Sequence, residues 1–224
     1  MEQATELGRR GRLLNLVRGQ VLFVAGEPAE AMFVIVSGCL HATRVSAEGR
    51  EQVIHVERAG ATMAEVPMFD EEAYPSTVTA DEDSVVISLR RSDVRASCLQ
   101  HPEIAMAALK ILAGRLRRCA VLVESLSLRN VDCRLAMFLQ SLADDAGKQP
   151  GSAPGFELRF THQQIGARIG SVREVISRAM GRLQKSGLIE VNGNRVVVPS
   201  RIAIADYVAG KTRGKRSLPS SQRK

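Results

Sequence analysis

No stretch of this 224-residue sequence approaches the roughly eighteen uncharged apolar residues of a membrane-spanning helix, so a helical span is excluded. Residues Met1 to Arg12 show no apolar run before a small-residue cleavage site, and the expectation is a cytoplasmic protein without a secretory signal. Cysteine is scarce. The four, at positions 39, 98, 119 and 133, are separated by 59, 21 and 14 residues, which leaves no C-x-x-C and no dense disulfide framework. They read as reduced, half-buried thiols, and no metal site is expected from their spacing. The catalytic signatures H-E-x-x-H, G-x-S-x-G and the P-loop are missing too, so nothing marks the chain as an enzyme. With 45% hydrophobic and 25% charged residues, disorder and collagen are excluded and one or two domains can bury a core.

Charge is unevenly placed. Residues 1–127 carry 14 Lys/Arg against 17 Asp/Glu, net −3, whereas residues 128–224 carry 17 against 7, net +10. The excess of positive charge therefore belongs to the second half, which suits a polyanionic partner, most simply nucleic acid. The last fourteen residues, 211–224, hold six basic residues and no acidic one; they read as a disordered tail adding salt-sensitive affinity.

From Gln20 to Leu89, short apolar stretches (QVLFV, AMFVIVS, CLHATRV, EQVIHV, VVISL) alternate with turn residues, and Gly26, Gly38, Gly49 and Gly60 fall at the breaks. That rhythm predicts a β-barrel or jelly roll. After Ser92 the period changes to helical. Leu109, Leu112, Leu116, Cys119, Val123 and Leu126 advance by 3, 4, 3, 4 and 3, a heptad seam that predicts a parallel dimer, while Arg115, Arg117 and Arg118 lie off it. A polar break at Arg129–Asn130 precedes a second helix, roughly Asp132 to Asp145, which ends in the loop GKQPGSAPG. The expected organisation is α+β: 1–100 a β-roll, 101–127 a dimerisation helix, 128–210 a second, basic domain and 211–224 the tail.

The most specific segment is FELRFTHQQIGARIGSVREVISRAMGRLQKSGLIEVNGNRVVVPS. Thr161 and Gln164 form a capping box that opens a short helix. Gly166 permits close approach of the next helix, and Gly170 with Ser171 makes the turn. Val172, Ile176, Ala179 and Leu183 then predict the buried face of a second helix, completing a helix-turn-helix. Opposite them stand Arg173, Glu174, Ser177 and Arg178. Arg donates bidentately to guanine, Glu accepts from cytosine N4 and Ser serves either edge, so this face is equipped to read the major groove. Asn192-Gly193 between β-branched runs predicts a hairpin, the wing. Lys185 and Arg195 are placed to contact phosphates, with Thr161, Gln163 and Ser171 as further candidate contacts.

These residues, in this order, resemble the CRP/FNR superfamily of bacterial transcription regulators, from about Gly19 to Val198. The carriers are RGQVLFVAGEPAEAMFVIVSG, the MAEVPMFDEE region, the long helix and THQQIGARIGSVREVISR. The resemblance implies an N-terminal double-stranded β-helix, a dimerising helix and a C-terminal winged helix-turn-helix. It further implies a homodimer on a palindromic operator, with RNA polymerase as a further partner. The pattern E-x-x-S-R at Glu174–Arg178 is similar to the FNR and nitric-oxide-responsive subgroups and favours TTGA half-sites. Arg173 is similar to an arginine of the cyclic-AMP receptor protein, which keeps TGTGA as the alternative.

The effector side departs from the family pattern. Where cyclic-nucleotide binders carry Gly-Glu and, ten residues on, Arg-Ser, this chain has Ala64-Glu65 and Pro75-Ser76. Cys119-Ala120 stand in place of the family's adenine-contacting Thr-Ser. Between Gly60 and Asp83 lie seven acidic residues and no Lys or Arg, so cyclic AMP in the usual mode is disfavoured. Ala64, Glu65, Pro75, Ser76, Arg115, Cys119 and Ala120 form the expected effector pocket. An Fe-S cluster is disfavoured because no cysteine precedes Cys39. His41 or His55 would be the axial ligand of a haem, and Cys119, facing its own copy, the site of a redox signal. The alternative function is a sensor whose winged helix has lost DNA binding.

Overall fold

A computed structural model describes residue 8 and residues 10–147 and 155–210. The basic tail 211–224 and most of the GKQPGSAPG loop lie outside the described residues. The described chain divides into two compact units at the Glu124–Ser125 bond.

The first unit has eight strands: β1 Arg12–Leu16, β2 Val21–Phe23, β3 Ala31–Ser37, β4 Cys39–Val45, β5 Glu51–Arg58, β6 Thr62–Met63, β7 Thr77–Ala80 and β8 Ser84–Arg90. They form two antiparallel sheets of order β1-β8-β3-β6 and β2-β7-β4-β5. Apart from β4 and β5, strands adjacent in sequence lie in opposite sheets, which is the double-stranded roll the strand rhythm predicts. All four break-point glycines, at 26, 38, 49 and 60, have positive φ.

Between the sheets sit Leu16, Phe23, Phe33, Ile35, Leu40, Met63, Val78 and Val86. The Phe23 ring stacks on Tyr74 with centroids 3.9 Å apart. The Tyr74 hydroxyl, donating to the Ala31 carbonyl at 2.9 Å, ties the loop before β7 to the opposite sheet. Strands β1, β6 and β7 were not anticipated from sequence. Strand β6 has only two residues, and the alternation of Thr77–Ala80, with Val78 and Ala80 buried, spans too few residues to stand out.

Three helices follow the roll's strands or interrupt them: α1 Pro67–Asp70, α2 Arg91–Gln100 and α3 Pro102–Leu128. None of the 27 residues of α3 is buried. Its predicted seam is largely uncovered, with Leu109, Leu116 and Val123 more than half exposed.

The second unit contains α4 Val131–Gly147, β9 Phe156–Glu157, α5 His162–Ile169, α6 Arg173–Lys185, β10 Glu190–Asn192, β11 Arg195–Val197 and α7 Arg201–Val208. Strands β10, β11 and β9 form a small antiparallel sheet with β11 in the centre. Leu135, Leu139, Ile165, Ile176, Leu183, Ile189 and Ile204 make one core. Each fully buried Leu or Ile contributes about 1.5–3 kcal/mol. Helix α7, capped by Ser200, and strand β9 were also unforeseen. The architecture is α+β, with a β-roll, a long helix and a winged helix-turn-helix.

Candidate functional site

The capping box is in place. Gln164 donates its backbone N–H to Thr161 Oγ1 at 3.2 Å, and Thr161 donates its own to Gln164 Oε1 at 2.9 Å. Helix α5 ends at Gly170, in the left-handed conformation. A Cβ on Gly166 would lie 2.7 Å from the Ser171 carbonyl oxygen, so only glycine lets the turn fold back this closely.

Helix α6 buries Ile176, Ala179, Met180 and Leu183. Val172, expected on that face, is instead the exposed N-cap, with φ −118°. The reason is that a cap residue has extended dihedrals, which takes its side chain off the helical row. Arg173, Glu174, Ser177 and Arg178 are all exposed. Arg178 Nε donates to the Glu174 carbonyl at 3.3 Å. Thr161, Gln163, Lys185 and Arg195 are exposed as well, and Ser171 is half-buried.

The wing forms one residue later than expected. Asn192 pairs with Arg195, so the two turn residues are Gly193 and Asn194. Gly193 has φ 59° and Asn194 is not in the positive range. Positive φ at the first central position alone is the type II′ pattern, which demands glycine there, and this outcompetes the Asn-Gly placement.

In the first unit, five predicted pocket residues, Glu65, Ala64, Pro75, Ser76 and Arg115, line one cavity with His55, Phe23 and Met63. Cys119 and Ala120, also expected there, do not line it, and both are exposed on α3. Arg115, one turn earlier on that helix, points into the roll, whereas the seam side faces away from it. Arg115 Nη2 donates to Glu65 Oε1 at 2.8 Å and to the Thr62 carbonyl, and Nη1 lies 2.8 Å from His55 Nε2. Thr62 Oγ1 donates to the same Glu65 oxygen. Glu57 Oε1 takes Arg118 Nη2 at 2.9 Å.

The cavity therefore holds a cation from outside the cassette, the expected Arg115. Residues 60–83 supply none, but the long helix delivers Arg115. That cation is already neutralised by Glu65, itself almost wholly buried. The space left within this cavity is about 40 Å³, room for a water molecule. Burial, then the Arg115 and Arg118 guanidiniums, bring the His55 pKa down to about 4, so its ring is neutral. Ala64 holds φ 65°, in the left-handed region that a Cβ disfavours.

His41 Nδ1 sits 3.0 Å from Asp81 Oδ1, and both ring nitrogens of His55 face Arg115. Among the described residues no three His, Cys, Asp or Glu side chains gather as a metal site. No helix among them is long and apolar enough to cross a membrane.

A roll of this topology followed by a long helix and a winged helix-turn-helix defines a type of DNA-binding regulator, and comparison with known proteins agrees. Residues 13–101 match the cyclic nucleotide-binding domain, and residues 133–207 match the Crp-like helix-turn-helix domain. The electron transport regulator A of Shewanella oneidensis is 30% identical over 184 residues, covering 81% of this chain and 72% of that protein. The fumarate and nitrate reduction regulatory protein of Escherichia coli K12 is 28% identical over 196 residues, covering 88% and 78%. The CRP-like cAMP-activated global transcriptional regulator of Mycobacterium tuberculosis H37Rv is 29% identical over 185 residues, covering 83% of each chain. In fold, the c-di-GMP responsive global regulator CLP of Xanthomonas campestris superposes with a TM-score of 0.77 at 20% identity, over 89% of this chain and 99% of that one. The chain belongs to the CRP/FNR family. It is a transcription regulator with a helix-turn-helix DNA-binding domain, and not an enzyme.

Proposed function

We propose that this regulator acts in the cytoplasm as a homodimer, joined along Leu109, Leu112, Leu116, Cys119, Val123 and Leu126, on a palindromic TTGA-type operator. Arg173, Glu174, Ser177 and Arg178 read bases, while Thr161, Gln163, Ser171, Lys185 and Arg195 position the phosphate backbone. The observation that carries this reading is the two-sidedness of α6: those four polar side chains are exposed while Ile176, Ala179, Met180 and Leu183 are buried behind them. The exposed apolar row of α3 supports the dimer, since contiguous apolar surface is otherwise a liability in water. The compact, internally paired cassette supports an effector other than cyclic AMP in its usual mode, or a dimer competent without one.

The test is fluorescence anisotropy of the ligand-free protein with a TTGA-N6-TCAA duplex and a shuffled control at physiological ionic strength. Preferential binding to the palindrome is the expected outcome. Arg178→Ala is expected to cost about 1–3 kcal/mol on the palindrome and to relax one base position. Equal losses on both duplexes would remove Arg178 from base reading, and absence of salt-dependent binding to either would favour a sensor that no longer binds DNA.

A further inference from the structure

We infer that residues 129–134, directly after the long helix, form a collar that fixes the recognition helix to α4, with Asp132 and Arg134 as its positioning residues. The inference rests on the reading of α6 as the DNA reader.

Arg134, on the first turn of α4, donates Nη1 to the carbonyls of Ile169, at 2.6 Å, and Gly170, at 3.3 Å. These are the last carbonyls before the turn into α6, left unpaired by the helix itself and carrying its negative dipole end. Two residues earlier, both carboxylate oxygens of Asp132 accept from Arg182, Nε at 2.7 Å and Nη2 at 2.6 Å. Arg182 stands in the last turn of α6. The same short segment also holds α7: Arg129 Nη1 lies 3.3 Å and Cys133 Sγ 3.6 Å from the Val208 carbonyl. Asn130 Oδ1 accepts from the Cys133 backbone N–H at 2.8 Å, capping α4, which presents Asp132, Cys133 and Arg134.

A thirteen-residue helix is about 20 Å long. Gripped just before its first turn and again in its last, it cannot pivot about either end alone. Any displacement of residues 129–134 therefore carries the reading face as one body, which is what a hinge at this place requires to act on DNA. Arg182 also lies four residues after Arg178, on the same side of the helix. Its fork on Asp132 keeps it as a strut to α4 where it could otherwise lengthen the reading row.

The experiment is a double-mutant cycle on Asp132 and Arg182, a partly exposed pair whose loss the core tolerates. The readout is the ratio of affinities, by anisotropy, for a duplex selected by the wild-type protein from a random-sequence pool and for a shuffled duplex. Asp132→Ala and Arg182→Ala are each expected to lower that ratio about tenfold with thermal midpoints near wild type, and the double variant no further than either. A simple loss of stability moves the midpoint and not the ratio. If Arg182→Ala weakens both duplexes equally while Asp132→Ala weakens neither, Arg182 is a phosphate ligand and the collar is overturned. Wild-type ratios in both single variants beside a fall in Arg178→Ala overturn the collar alone. An unchanged ratio in Arg178→Ala overturns the reader assignment, and the collar with it.

Discussion

The guanidinium of Arg115 lies 2.8 Å from the buried carboxylate of Glu65, fifty residues earlier in the chain. A side chain of the long helix thereby occupies the middle of the cassette, and the charge balance of the cavity is internal. Removing one partner leaves the other desolvated without compensation. Glu65→Ala is therefore expected to destabilise the protein by about 3 kcal/mol in urea denaturation. The double variant Glu65→Leu/Arg115→Met is expected to cost less than that single change, because no buried charge remains. A double variant worse than both singles would show that the pair organises the roll beyond its own charges.

Stability should fall in mild acid. The His55 pKa is near 4 in the fold, against about 6.5 for an unfolded chain, so the unfolded state takes up the proton first as pH drops. The favourable contribution is complete above pH 6.5 and is lost towards pH 4, to the extent of roughly 3 kcal/mol at most. His55→Gln should flatten the pH dependence of the unfolding free energy across that window. Parallel curves for the two proteins would mean that the ring is protonated in the fold without penalty.

Ala64→Gly should stabilise the protein, which is unusual for a change that removes a methyl group. Ala64 sits at φ 65°, where a Cβ is costly, and relief of that strain is expected to outweigh the added freedom of the unfolded chain by about 0.5 kcal/mol. A rise in thermal midpoint checks it.

Gly166→Ala should act in the opposite direction. The new methyl would meet the Ser171 carbonyl at 2.7 Å, a backbone atom that cannot swing aside. A destabilisation of about 1–3 kcal/mol is expected, together with weaker binding to the palindrome, because the turn sets the separation of α5 and α6. Unchanged denaturation would show that the turn has slack.

Leu116→Glu places a charge in the centre of the exposed seam, 73% open in the single chain. Sedimentation equilibrium should then report the monomer mass where the unaltered protein reports twice that value. Far-ultraviolet circular dichroism should be preserved, since the side chain supports nothing in its own protomer.

Local chemistry carried most of the reader into the sequence. The Thr161–Gln164 capping box, the glycines at 166 and 170 and the period of α6 act over three or four residues, and each is visible to anyone reading along the chain. Even there, the dihedral of one cap residue moved Val172 off the buried face, and the φ requirement of Gly193 shifted the wing turn by one position. The strand rhythm likewise announced a roll, although β1, β6 and β7 did not register.

What the tertiary structure decided is where distant charges meet. Arg115 read as a residue off the heptad seam and, through the family resemblance, as a pocket residue; that its guanidinium bonds Glu65 and His55 depends on how the long helix lies along the roll. Asp132 and Arg182 are fifty positions apart; in the sequence the first marks only the approximate start of a helix, and nothing local singles out the second. Linear spacing encodes neighbours within a helix turn or a strand pair, whereas a buried ion pair or a clamp between helices is set by packing, which brings residues together irrespective of their separation in sequence.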